Sequence, residues 1–97
     1  MSYDVQAIRK QFPILHQQIH GRPLVYLDNA ATAQKPLAVI EAITHLYTKD
    51  NANVHRGVHT LSQRSTDAME AVRSAVCTHI NAREVAEIIF TRGITDS

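Results

Sequence analysis

The chain has 97 residues, 44% hydrophobic and 20% charged, with a net charge of +1 when histidines are neutral; a domain of this size buries roughly 60% of its unfolded surface or a little more, so a core is possible with little margin. That charge argues against a nucleic-acid or membrane-surface binder, which would carry a basic stripe, while leaving a local basic site open. The single cysteine, Cys77, excludes an internal disulfide and fits a reducing compartment, and the N-terminal stretch holds Asp4, Arg9, Lys10 and Pro13 with no long apolar run, so neither a signal peptide nor a membrane span is expected and the expected location is cytoplasmic.

Val5, Ile8 and Phe12 share one face of a short helix that Ser2 or Asp4 can cap and Pro13 ends. His20–Pro23 (HGRP) reads as a turn, and Leu24–Asp28 (LVYLD) as a short apolar strand. Asn29–Pro36 is a loop of small and polar residues, with Pro36 placed for the first turn of a helix. That helix carries the stripe Leu37, Ile40, Ile43 and Tyr47, widened by Val39 and Leu46. Lys49–Thr60 is polar, broken by Asn and Gly, and reads as a loop. The spacing predicts a long helix over residues 62–80 with Met69, Val72, Val76 and Ile80 on its buried face and Asn81 as its stop. Ala86–Arg92 reads as a final strand.

Two short strands separated by two helices make a poor independent sheet. The last strand is nearly all apolar before Thr91, as strands covered on both faces are. The pattern suggests the beginning of a larger α/β arrangement.

Four places could carry chemistry. In TRGITDS (Thr91–Ser97), Gly93 permits a tight turn and close backbone approach, and Thr95 offers a hydroxyl where a helix N-terminus would favour an anion. Taken alone, the same residues read more readily as an ordinary strand-end turn with a capping threonine. In NVHRGVH (Asn53–His59), His55 and His59 are four apart, as in helical metal sites, but Gly57 intervenes and no third ligand is near, so no metal is expected. Arg56 there suits a carboxylate or phosphate, with a plain polar loop as the alternative. In LDNAAT (Leu27–Thr32), Ala30 and Ala31 let backbone approach a ligand, while Asp28 and Asn29 could be ordinary turn formers. Cys77 sits beside Val76 with no cation placed to make it a thiolate, so it reads as a small buried hydrophobe.

Taken in order, LVYLDNAATAQKP, NANVHRGVHTLSQRSTDAMEAVR, INA and EIIFTRG are similar to the N-terminal quarter of a cysteine desulfurase. The resemblance is to the SUF-type (group II) branch, related to selenocysteine lyases, in the class V aminotransferase superfamily. It covers essentially the whole chain. It implies an α/β fold, the N-terminal fragment of the PLP-dependent aspartate-aminotransferase-like fold (fold type I), helix-rich here with two short strands. Residues 1–35 would be a small-domain-like segment and 36–97 the start of the large, PLP-binding domain, with the strand at 86–92 entering its sheet.

The resemblance also implies chemistry. In the family, pyridoxal 5′-phosphate (PLP) is anchored by a lysine and an active-site cysteine takes sulfur from L-cysteine, leaving alanine and an enzyme persulfide for iron–sulfur cluster assembly. That lysine, that cysteine and the aspartate on the pyridine nitrogen have no counterparts here, so Lys35, Cys77 and Asp96 do not inherit those roles. The expectation is a truncated desulfurase, inactive as this fragment and not holding PLP stably; the alternative is an interaction module docking on a full-length desulfurase or complementing its missing part. Thr95, with Gly93, matches the phosphate-binding loop. His55 and Arg56 match a loop near the active site and dimer interface, and Ala30 and Ala31 a loop near substrate. Implied partners are a second copy of the enzyme and a sulfur-acceptor protein, with no nucleic acid and no membrane. One departure stands out: the family usually reads Gly-Thr-Thr-Glu where this chain has Gly93-Ile94-Thr95-Asp96.

Overall fold

The computed structural model describes residues 2–55 and 59–97. They form two compact units, residues 1–49 and 50–97, each considered by itself.

In the first unit, α1 (Val5–Arg9) starts where the Asp4 carboxylate accepts the Ala7 N–H at 3.1 Å, satisfying one of the donors that every helix start leaves unpaired. The helix ends earlier than Phe12. Pro13 then opens a short 3₁₀ turn, Pro13–His16. A hairpin follows: β1 (Gln18–Ile19) pairs antiparallel with β2 (Arg22–Pro23), Gln18 opposite Pro23 and Ile19 opposite Arg22. His20 and Gly21 connect them with φ of +54° and +75°. Positive φ at both central residues is the turn whose twist matches paired strands, and glycine reaches it without strain. The Arg9 guanidinium donates to the Leu24 carbonyl at 3.2 Å, tying α1 to the chain leaving the hairpin.

α2 (Leu37–His45) has Pro36 as its N-cap, and its first N–H, from Leu37, donates to the Gln11 carbonyl at 2.7 Å. It runs into a wider turn at Leu46–Asp50. Its apolar stripe stays exposed, Leu37, Ile40 and Ile43 included.

In the second unit, α3 (Thr60–His79) dominates. His59 caps it, Nδ1 accepting the Ser62 N–H at 3.2 Å. Its C-terminus closes with Asn81 at φ +58°; Ala82 N–H reaches the Cys77 carbonyl at 2.9 Å and Asn81 N–H the Thr78 carbonyl at 3.2 Å, the paired bonds of a left-handed helix stop. Val85–Glu87 is a 3₁₀ turn, residues 88–92 are extended, and Ile94–Asp96 is a last 3₁₀ turn.

Two expectations need correction. Residues 24–28 and 86–92 form no ladder; the paired strands are those of the 18–23 hairpin. A run of β-formers becomes a strand only when a neighbouring strand takes its N–H and C=O groups in a ladder, and among the described residues no strand lies beside either run. The expected buried face of α3 is only half covered: Val72 and Ile80 are exposed, and the buried residues of the helix are Ser62, Ser65 and Cys77. No helix among the described residues is long and apolar enough to cross a membrane.

Candidate functional site

The final loop has an unequal distribution of partners. The Gly93 carbonyl oxygen receives Asp96 N–H at 3.1 Å and Ser97 N–H at 3.2 Å, with the Ser97 and Thr91 hydroxyls at 3.0 and 3.2 Å. The N–H groups of Gly93, Ile94 and Thr95 have no acceptor among the described residues, and neither has the Thr95 hydroxyl a partner. Gly93 is extended, and a Cβ there would meet nothing within 4 Å. The tight turn expected of Gly93 is therefore not what its backbone adopts; the space beside it is open. Three free N–H donors, a free hydroxyl and open space fit a phosphate, because successive backbone N–H groups concentrate partial positive charge. Asp96 works against an anion, and its carboxylate is drawn to Arg92, 3.9 Å to Nε and 3.4 Å to the backbone N–H.

The loop before α3 is held by hydroxyls. Ser62 Oγ donates to the Asn53 carbonyl and Ser65 Oγ to the Asp50 carbonyl, both at 2.7 Å, and Thr66 Oγ1 accepts His55 N–H at 2.9 Å. Arg64 adds an ion pair to Asp50 at 3.2 Å. His55 itself is left-handed, φ +58°, and its Nε2 lies 3.1 Å from Glu70 Oε1. The other Glu70 oxygen accepts from Arg73 Nε at 3.1 Å. Arg73 then donates from Nη1 to the Ile88 carbonyl and sets its guanidinium 4.9 Å from the centre of the Phe90 ring. Sequence reasoning on single motifs missed Ser62, Ser65, Thr66, Glu70 and Arg73. Their spacing along one helix was the available signal.

In the first unit, Ala30 and Ala31 lie exposed in a turn closed by Ala31 and Thr32 N–H groups on the Asp28 carbonyl, at 3.0 and 3.1 Å. Tyr26 OH reaches the Thr32 carbonyl at 2.7 Å, and Asn29 Oδ1 accepts Gln34 N–H at 3.1 Å, so Asn29 acts as a turn former. Gly93 and Thr95 thus share one loop, His55 belongs to the network on α3, and Arg56 lies outside the described residues. Lys35 Nζ donates to the Ala33 carbonyl at 2.9 Å, and Cys77 is buried with its thiol 3.5 Å from the Ala82 carbonyl. Among the described residues no group of His, Cys, Asp and Glu could hold a metal ion.

Residues 25–97 match the family model for class-V aminotransferases. The chain belongs to the class-V aminotransferase family. It is 61% identical over 91 residues to a probable cysteine desulfurase of Synechocystis sp., covering 94% of this chain and 22% of that protein. It is 52% identical over 97 residues to a cysteine desulfurase of Pectobacterium carotovorum, covering 100% of this chain and 24% of the relative. The apo structure of a cysteine desulfurase from Thermococcus onnurineus NA1 superposes with a TM-score of 0.78 at 38% identity, over 95% of this chain and 21% of that one. The chain therefore has the fold of a segment of a fold type I enzyme, and it spans less than a quarter of the length of these relatives.

Proposed function

We propose that this segment supplies the phosphate-side loop of a PLP-dependent cysteine desulfurase, and that these 97 residues alone do not turn over cysteine. The observation that carries the reading is the final loop, where the N–H groups of Gly93, Ile94 and Thr95 and the Thr95 hydroxyl stand without partners beside open space. PLP supplies an electron sink for bonds at the substrate's α-carbon. The task of Gly93 and Thr95 is to grip its phosphate, while His55, Arg56, Ala30 and Ala31 border the substrate. Residues 1–35 belong with the small domain and 36–97 with the large one. The segment does its work in the cytoplasm, in a homodimer that hands sulfur to an acceptor protein. Lys35 and Cys77 do not match the family's anchoring lysine or its nucleophilic cysteine, so no turnover is expected of these residues alone.

Titrating the chain with PLP and, separately, with pyridoxal tests the loop. PLP is expected to shift the Gly93–Thr95 amide signals and pyridoxal to leave them; equal effects of both would remove the phosphate role. Incubation with PLP, cysteine and a reductant should yield no sulfide or alanine above a protein-free control, and clear turnover would overturn the inactive reading.

A second reading is an interaction module that docks on a full-length desulfurase or complements a separately made remainder. The exposed Leu37, Ile40 and Ile43 stripe and the extended segment 88–92, which joins no strand among the described residues, favour it. Retention of a full-length desulfurase by the immobilised chain is the expected result, and no retention would sink it.

A further inference from the structure

The groups between His55 and Phe90 form one connected chain, two of whose links cross a long stretch of sequence. His55 to Glu70 and Arg73 to Ile88 are each 15 residues apart, and Glu70 to Arg73 is one helical turn. A carboxylate only accepts hydrogen bonds, so a neutral His55 must present its proton from Nε2 to Glu70, which leaves Nδ1 as the acceptor nitrogen. The guanidinium is the natural second partner, since its fixed fork can serve the carboxylate with Nε and the Ile88 carbonyl with Nη1.

We propose that Glu70 is a positioning residue: with one oxygen on His55 and the other on Arg73, it couples the loop at residues 53–55 to the segment 88–90 that leads into Gly93. The two stretches that the proposed function places around cofactor and substrate are then linked through one carboxylate on α3, beside the hydroxyl tethers of the first, and the functional consequence rests on that reading. No other side chain fills the position equally. A glutamine has one acceptor oxygen; with that oxygen on Arg73, its NH₂ could meet His55 only by donating to Nε2, which moves the imidazole proton to Nδ1. An aspartate is shorter by a methylene and cannot span both partners.

The test uses the full chain without cofactor. By NMR, the His55 ring Nε2–H proton should be visible through slow exchange with water, and Glu70→Ala should abolish it. The same variant should speed exchange of the Ile88 amide, which donates to the Val85 carbonyl at 3.0 Å on the residue whose carbonyl Arg73 holds, by about two- to fivefold, the factor for losing a partly exposed charged contact. Arg73→Lys, which keeps the charge and never touches His55, should speed exchange of the His55 ring proton by a similar factor. Asp67→Ala, which removes a carboxylate that pairs with Gln63 on the same helix, should change neither signal. Should Glu70→Ala melt α3 by circular dichroism, the Arg73→Lys arm decides. A ring proton absent from the parent chain, or indifferent to Arg73→Lys, overturns the proposal. If the coupling holds while PLP leaves Gly93–Thr95 unmoved, the positioning role stands and the cofactor reading falls.

Discussion

Ser62→Ala is the most informative single change in the second unit. Ser62 is only 1% exposed, and its hydroxyl donates to the Asn53 carbonyl at 2.7 Å while its N–H goes to the His59 cap. Alanine keeps the cap bond and fits the space, but it removes the donor to Asn53. Losing that bond costs about 0.5–1.5 kcal/mol, because Asn53 is exposed and water can replace the lost donor. Alanine returns up to ~0.5 kcal/mol through helix propensity. The net loss is about 0.5 kcal/mol, which for a domain of this size lowers the melting temperature by roughly 2–4 °C. Ser74→Ala on the same helix is the control, because Ser74 is exposed; it should be neutral or slightly stabilising through propensity alone. The measurement is urea and thermal unfolding by far-UV circular dichroism. If Ser62→Ala behaves like Ser74→Ala, the loop is not tethered as described.

Three further substitutions probe other links. Asn81→Ala should destabilise α3 by about 1 kcal/mol and Asn81→Gly should not, because Asn81 holds φ +58° at the helix stop; unfolding midpoints decide. In the hairpin, His20→Asn should slow and His20→Val should speed exchange of the Leu24 amide, which donates to the Gln17 carbonyl at 3.1 Å, since the turn needs positive φ at residue 20. Ile94→Thr should raise affinity for PLP about tenfold or more if the restored hydroxyl meets phosphate, a charged hydrogen bond being worth about 1.5–3 kcal/mol. The Ile94 side chain is 95% exposed, so the swap costs no core packing, and an unchanged affinity would place the phosphate elsewhere.

Local signals were legible in the sequence wherever local forces decide. The Asp4 cap, the Pro36 start of α2, the Asn81 stop of α3 and the His20–Gly21 half of the HGRP turn follow from backbone chemistry that a few residues carry, while Arg22–Pro23 is strand β2. The family was legible because long stretches keep their order and spacing. The strands at 24–28 and 86–92 were misread because periodicity reports what a segment can pair with, and pairing needs a neighbour. The buried face of α3 was half wrong for the same reason: Val72 and Ile80 are apolar at helical spacing, but nothing among the described residues covers them. The tethers were invisible to motif reading because Ser62, Ser65, Thr66, Glu70 and Arg73 look like ordinary solvated helix residues until the loop they hold is known.

That misreading bears on how the site is kept in shape. The buried apolar side chains among the described residues are Cys77 and Ile88, whereas Ser62 and Ser65 are buried polar groups with carbonyl partners. Apolar burial stabilises without direction, but a hydrogen bond fixes distance and angle. Each such tether contributes only about 0.5–1.5 kcal/mol, so the second unit trades depth of stability for placement of its loops. Two of these directional contacts end at His55, and the Glu70–Arg73 arm ends at Ile88, five residues before Gly93. A segment meant only to fill a core would put leucine or valine at 62, 65 and 66. Hydroxyls at those positions make sense when the helix has loops to hold, and those loops are the ones proposed to meet substrate and phosphate.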